Sequence, residues 1–223
     1  MTAALVLEHE ADAPAGILAE WAAARGIALE VHAWHTDDST PPNPTGRPFV
    51  VCLGSEASAF DDAVPWLAAE RAVLDRAIAH DVPVLGICFG GQHLARALGG
   101  TVGRATRPEV GWLDVESLDP EVVPPGAYLQ WHRDAFTPPP GARLLARSPV
   151  SAQAFAHGRH LGVQFHPEVT PAIAMDWATS YPASVTAAGT TVASVQEGGV
   201  THAEGARLRA HALFDGFLAR ISG

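Results

Sequence analysis

Residues 82–98, VPVLGICFGGQHLARAL, pass from a continuous apolar run through Cys88 and a pair of glycines into a helical pattern. An apolar run without polar alternation is a strand buried on both faces, and strands of that kind sit in parallel sheets covered by helices on either side. The segments before it repeat the theme. Residues 4–8 and 27–34 read as strands around a helix over 15–25, with Ile17, Leu18, Trp21 and Ala22 at helical spacing and Gly26 as its stop. Residues 49–53 form a further short strand, and residues 64–80 a helix presenting Leu67, Val73, Leu74, Ala77 and Ile78 on one face. Strand 82–87 and helix 92–98 follow. Strand and helix in alternation define an α/β fold with a parallel sheet. Residues 35–48, with four prolines, are expected to be loop.

After Gly99 the pattern changes to short strands with proline-rich breaks, at 111–115, 127–131, 143–146, 152–157 and 161–165, which read as antiparallel returns. A last helix over 206–221 is expected to turn Leu208, Ala212, Leu213, Phe217 and Leu218 inward. Residues 181–199, rich in Ala, Ser, Thr and Gly, carry little pattern and read as a loop or lid. There is no internal repeat, and 223 residues with 48% hydrophobic content suit one domain over 1–223.

A formal net charge of -10 disfavours nucleic acid and anionic membranes as partners. The first apolar stretch is short and is followed by acidic residues, so it reads as a strand and not as a leader, and no run reaches the length of a membrane span. Two cysteines make no disulfide scaffold, and a reducing cytoplasm is the expected setting. Eleven histidines are scattered without metal-ligand spacing, so neither a metal nor another cofactor is expected.

Two places in the chain carry chemistry. Cys88 stands at the tip of a turn that opens a helix, where unpaired backbone N–H groups and the helix dipole favour a thiolate. Gly86, Gly90 and Gly91 permit a tight turn there, and the N–H of Phe89 can point at a developing oxyanion. Taken alone, Cys88 fits a nucleophile and a buried structural cysteine equally well, the second being the reading that suits Cys52. The segment 162–169, GVQFHPEV, adds what a nucleophilic thiol requires. His166 is a base, and Glu168, two residues on along an extended strand, is an acceptor to orient it.

GICFGGQ and GVQFHPEV, in this order and separation, resemble the class I, triad-type glutamine amidotransferases, the family that includes the amidotransferase domain of GMP synthetase. The resemblance implies a flavodoxin-like class I glutamine amidotransferase fold: a central, mostly parallel sheet flanked by helices, with an additional small antiparallel sheet. It makes Cys88 the nucleophile, His166 the general acid and base, and Glu168 the orienter of His166. Gln92 matches the position that helps hold the α-amino acid end of the substrate. The family's GGP-like loop is replaced by CLGSEAS, in which Gly54 and Ser55 stand where the second oxyanion donor belongs. In LQWHRDAF, His132 and Asp134 keep a polar pair of the GMP synthetase type, while Trp131 and Arg133 depart from it.

The small-molecule substrate implied is glutamine or another γ-glutamyl amide. No phosphate-binding loop follows the matching region, so ammonia would be used by a separate synthetase subunit. Two alternatives stand beside a glutaminase: a stand-alone γ-glutamyl peptidase or hydrolase, and a catalytically idle relative that binds or regulates.

Overall fold

The computed structural model describes residues 2–36 and 40–222. Its frame is a nine-stranded sheet in the order β2-β1-β3-β4-β9-β8-β7-β5-β6. β1 (Ala4–Glu8), β2 (Leu29–Ala33), β3 (Val50–Cys52), β4 (Val84–Ile87) and β9 (His160–Val163) run parallel. β8 (Ala152–His157), β7 (Arg143–Arg147), β5 (Val102–Ser117) and β6 (Gly126–Phe136) continue the sheet as antiparallel strands.

The parallel half shows why its strands lack polar alternation. Ala4 and Val6 of β1 join one core, while Leu5 and Leu7 join another on the opposite face. In β3, Val51 goes with the first and Val50 and Cys52 with the second. Successive residues point to opposite faces, and here both faces are covered. The first core is closed by α1 (Gly16–Ala24), through Ile17, Leu18 and Trp21, and by the last helix, α6 (Val192–Ser222). α2 (Leu67–Ala79) and α3 (Phe89–Ala97) close the second.

Several boundaries differ from those read in the sequence. α3 starts at Phe89, three residues earlier than expected, because the helix grows directly out of the turn at Cys88 and takes both glycines into its first turn. α2 starts after Pro65, at Leu67. β9 ends at Val163, so His166 and Glu168 do not lie on an extended strand. The chain instead crosses toward β6, where the His166 N–H donates to Leu129 O at 2.9 Å, and turns at Pro167 and Glu168.

The largest correction concerns residues 181–199. They are helical over most of their length, as α5 (Pro182–Ala187) and the start of α6, and α4 (Pro171–Ser180) precedes them. Short turns of Ala, Ser and Thr need little apolar surface when they pack close. A Cβ on Gly198 would lie 2.6 Å from Trp112 Cδ1, so that helix meets β5 where only glycine fits. In α6 the buried face is Ala206, Ala210, Leu213, Phe214 and Phe217, whereas Leu208 is 62% exposed and Ala212 also faces solvent. Leu208 is rotated out of that face by the helical repeat.

The expected loop 35–48 includes residues 37–39, which lie outside the described residues; its other positions carry no helix or strand. Among the described residues no helix is long and apolar enough to cross a membrane.

Candidate active site

Cys88 joins β4 to α3 with φ 51° and ψ −108°, in the left-handed half of backbone space that side-chain-bearing residues avoid. Its neighbours force this. A Cβ on Gly90 would lie 2.0 Å from Cys52 O, on Gly91 2.4 Å from Val163 O, and on Gly86 2.4 Å from Gly90 O. Hydrogen bonds fix the turn from both sides, Cys88 N–H to Val163 O at 2.9 Å and Gly90 N–H to Leu53 O at 3.1 Å. Holding such a conformation costs about 1–3 kcal/mol, and the surrounding close packing sustains it. The outcome is a thiol presented at the first turn of α3, over the ends of β3, β4 and β9.

His166 reaches that thiol from the crossing after β9. Its Nδ1 is 2.8 Å from Glu168 Oε1, and its ring and the Cys88 side chain both border Gly54. Burial pushes the imidazole toward neutrality, but the Glu168 carboxylate and then the Cys88 sulfur outweigh it, raising the His166 pKa to about 10. The Trp177 ring stands nearly perpendicular to the imidazole, at 78° and 5.0 Å between centroids. Glu168 is anchored through its backbone, its carbonyl accepting from Ile17 N–H at 2.8 Å. Around the sulfur, Trp131 O lies at 3.8 Å and Gln164 Nε2 at 3.7 Å.

These groups open into a cavity of about 290 Å³ lined by Cys88, His166, Gly54, Trp131, Trp177 and Tyr181, among others. α4 and α5 roof it. Tyr181 OH donates to Asp12 Oδ2 at 2.6 Å and Trp177 Nε1 to Asp12 O at 2.8 Å, which ties that roof to the loop after β1.

The family model described as Glutamine amidotransferase class-I matches residues 17–175, which span β4, Cys88, His166 and Glu168. The chain belongs to that family. Among its relatives, the glutamine-hydrolyzing GMP synthase of Aeropyrum pernix is 50% identical over 95 residues, covering 39% of this chain and 19% of that protein. One of the subunits of the glutamine-hydrolyzing GMP synthase of Thermococcus kodakarensis is 40% identical over 107 residues, covering 44% of this chain and 57% of that relative. The matches thus span about a fifth of the first relative's length and just over half of the second's. A solved glutamine amidotransferase from Methylobacillus flagellatus shares the fold with a TM-score of 0.91 at 24% identity, covering 99% of this chain and 95% of that one.

Within this amidotransferase fold the other residues singled out in the sequence take distinct places. Gly54 abuts the imidazole, for a Cβ there would lie 2.9 Å from His166 Cε1 and 3.9 Å from Cys88 Cβ. Ser55 lines the cavity and donates from Oγ to Glu10 Oε1 at 3.0 Å. Phe89 is the first residue of α3, so its N–H belongs to the set with no partner inside the helix, while its ring packs against His9, Trp66 and His93. Gln92 reaches the cavity, but its amide nitrogen is committed to Asp134 O at 3.1 Å and Gln164 Oε1 at 3.3 Å. His132 Nδ1 lies 2.9 Å from Asp134 O, and its Nε2 is 3.2 Å from Glu109 Oε2 without hydrogen-bond alignment. Asp134 accepts from Ser58 Oγ at 2.6 Å and Arg104 Nη1 at 2.7 Å. His132 and Asp134 therefore brace the cavity wall as well as line it.

Sequence reasoning read 181–199 as a loop or lid and missed the helices of the roof, although Thr170 followed by Pro171 is a helix-start signal: the Thr170 side chain accepts from Ile173 N–H at 3.2 Å. It also missed a buried polar cluster behind the site. His9, Cys52 and Glu70 each offer a ligand-type atom within 4.8 Å of one another. Glu70 already accepts from His9 at 2.6 Å, Trp34 at 2.7 Å, His93 at 3.0 Å and Cys52 at 3.2 Å. Hydrogen bonds account for the carboxylate's oxygens, and the cluster does not need an ion. Burial and the Glu70 carboxylate push the Cys52 thiol well up, so this second cysteine stays an inert donor.

Proposed function

We propose that this chain hydrolyses the γ-carboxamide of glutamine through a cysteinyl thioester and delivers the ammonia to a separate synthetase subunit. The observation that carries the reading is Cys88 held at φ 51° on the first turn of α3, sharing the Gly54 corner with a His166 whose Nδ1 is 2.8 Å from Glu168. The high basicity of His166 favours an imidazolium beside a thiolate.

The thiolate attacks the amide carbon, the C–S bond forms, and the carbonyl oxygen becomes an oxyanion facing the N–H groups of Phe89 and the Gly54–Ser55 segment. Collapse breaks the C–N bond, and the amide nitrogen leaves as ammonia with the proton from His166. His166, now neutral, takes a proton from water as it attacks the thioester; glutamate departs and the thiolate–imidazolium pair returns. Gln92, His132 and Asp134 shape the wall that receives the amino acid end of the substrate. The existence of relatives named as one subunit of a GMP synthase supports a partner on a separate chain.

A second reading, hydrolysis of a substituted γ-glutamyl amide, is favoured by the cavity's extension past Cys88 to Trp131, Trp177, Tyr181 and Asp12. Incubating the purified chain with glutamine and with a panel of γ-glutamyl amides, and measuring glutamate release, separates the two. Glutamine turnover that disappears in Cys88→Ala supports the first. Turnover of substituted amides with glutamine inert replaces it with the second, and no thioester or turnover from any of them refutes both.

A further inference from the structure

The buried cluster behind the cavity touches the site at one point. His9 follows β1 and is 2% exposed; its Nδ1 is 3.0 Å from Gly54 O and its Nε2 is 2.6 Å from Glu70 Oε2. A backbone carbonyl only accepts, so Nδ1 is the nitrogen that donates to Gly54 O. Glu70 lies on α2 and is itself gripped from three further places, by Trp34 after β2, Cys52 of β3 and His93 of α3. Burial alone would protonate Glu70, but the facing His9, helped by the His93 hydrogen bond, holds it well below the usual carboxylate range. Burying a polar contact of this kind is a poor way to gain stability, since apolar residues of similar volume do as well. What it provides is a fixed position for His9.

That position has a consequence at the Gly54–Ser55 peptide. The unit is planar and trans, so its C=O and N–H point in opposite directions. With Gly54 O turned to His9, the Ser55 N–H faces the other way, in a residue whose neighbour abuts His166 and Cys88. If that peptide flipped, the carbonyl would replace the N–H and repel an oxyanion.

We propose that His9, held by Glu70, is a positioning residue that locks the Gly54–Ser55 peptide so that Ser55 N–H serves as the second oxyanion donor beside Phe89 N–H. This inference rests on the acyl-transfer reading above. The two fail separately: a wild-type protein that turns over no γ-glutamyl amide ends that reading, whereas the His9 claim is decided by variants of an active wild type.

In the full chain, His9→Ala removes the donor to Gly54, while His9→Asn places an amide nitrogen near the site of Nδ1. His9→Ala is expected to lower kcat by about 100-fold with KM within about threefold, the scale of losing one oxyanion donor. Binding of glutamate γ-semialdehyde, which forms a tetrahedral adduct on the thiol, should weaken by a similar factor. Alkylation of Cys88 by iodoacetamide makes no oxyanion and should stay within about twofold. His9→Asn should recover at least about tenfold of the lost kcat, and Glu70→Gln should fall between wild type and His9→Ala with the same split. Unchanged kcat in His9→Ala, a parallel loss of iodoacetamide reactivity, or His9→Asn no better than His9→Ala overturns the proposal. Should circular dichroism show His9→Ala unfolded, Glu70→Gln and His9→Asn decide it: a folded Glu70→Gln with wild-type kcat overturns it, and a kcat loss confined to the tetrahedral-adduct step upholds it.

Discussion

Replacing Gly54 by alanine should damage catalysis far more than folding. No left-handed φ is required at Gly54, so alanine suits the backbone. The added methyl, however, would lie 2.9 Å from His166 Cε1 and 3.6 Å from Nδ1, where carbon contacts need about 3.5–4.0 Å. The imidazole must retreat by about half an ångström to one ångström. It has little room, for Trp177 stands across its ring and Glu168 holds Nδ1 at 2.8 Å. Overpacking of this size costs about 1–3 kcal/mol, offset in part by about 0.4–1 kcal/mol from the stiffer unfolded chain. Thermal midpoint should therefore fall by only a few degrees.

Catalysis is less tolerant, because an ångström of misplacement between base and nucleophile costs about 100-fold in rate. The expected result for Gly54→Ala is kcat for glutamate release down about 100-fold with near-native unfolding in urea. Gly103→Ala, where a Cβ meets nothing within 4 Å, is the control. Activity within about threefold of wild type would refute the argument, since a loss of about 100-fold is what displacement of His166 demands. So would a loss of activity that simply follows the loss of folded protein.

Three further outcomes follow from the same geometry. Cys88→Gly should be at least as stable to urea as Cys88→Ala, reversing the usual glycine penalty of about 1 kcal/mol, because only glycine adopts φ 51° freely; the proposed mechanism expects both to be inactive, and a less stable Cys88→Gly would show that the turn is unstrained. Glu168→Gln should lower kcat about 100-fold less than Cys88→Ala does, because in the proposed mechanism it orients the base and does not react; equal losses in the two steady-state rates would give Glu168 a direct chemical part. His160 accepts from Val84 N–H at 3.2 Å through Nδ1, and burial, with smaller effects from its neighbours, lowers its pKa to about 4. Between that value and the unfolded one near 6.5 the unfolded chain binds the extra proton, so stability falls as pH drops through this window. The loss is roughly 2 kcal/mol after allowing for solvent screening, and urea titrations should show a weaker acid dependence in His160→Gln; an unaltered dependence would mean other groups carry it.

The legible part of this protein is the part whose constraints are local. β1 and β4 announce themselves because both their faces are buried, so that Ala4 to Leu7 are all apolar. Cys88 with Gly86, Gly90 and Gly91 is readable because each missing Cβ answers a backbone oxygen 2.0–2.4 Å away, a demand that leaves no alternative residue. The unreadable parts answer to distant partners. β5 runs on through residues 102–110, yet its first half is half-buried to exposed and has a register shift between Arg104 and Glu109, so no alternation marks it. The roof helices hold by Tyr181 and Trp177 reaching Asp12, more than 160 residues away.

Glu70 is the sharpest case. It sits on the apolar face of α2 beside Val73, Leu74 and Ala77, where a periodic reading takes it for an interruption. Its four donors come from residues 9, 34, 52 and 93, and none is near it in sequence. A buried carboxylate that breaks an amphipathic pattern is therefore itself a signal. Its cost must be met by donors drawn from several elements, and three of the elements that converge on Glu70, β1, β3 and α3, lead to the cavity around Cys88.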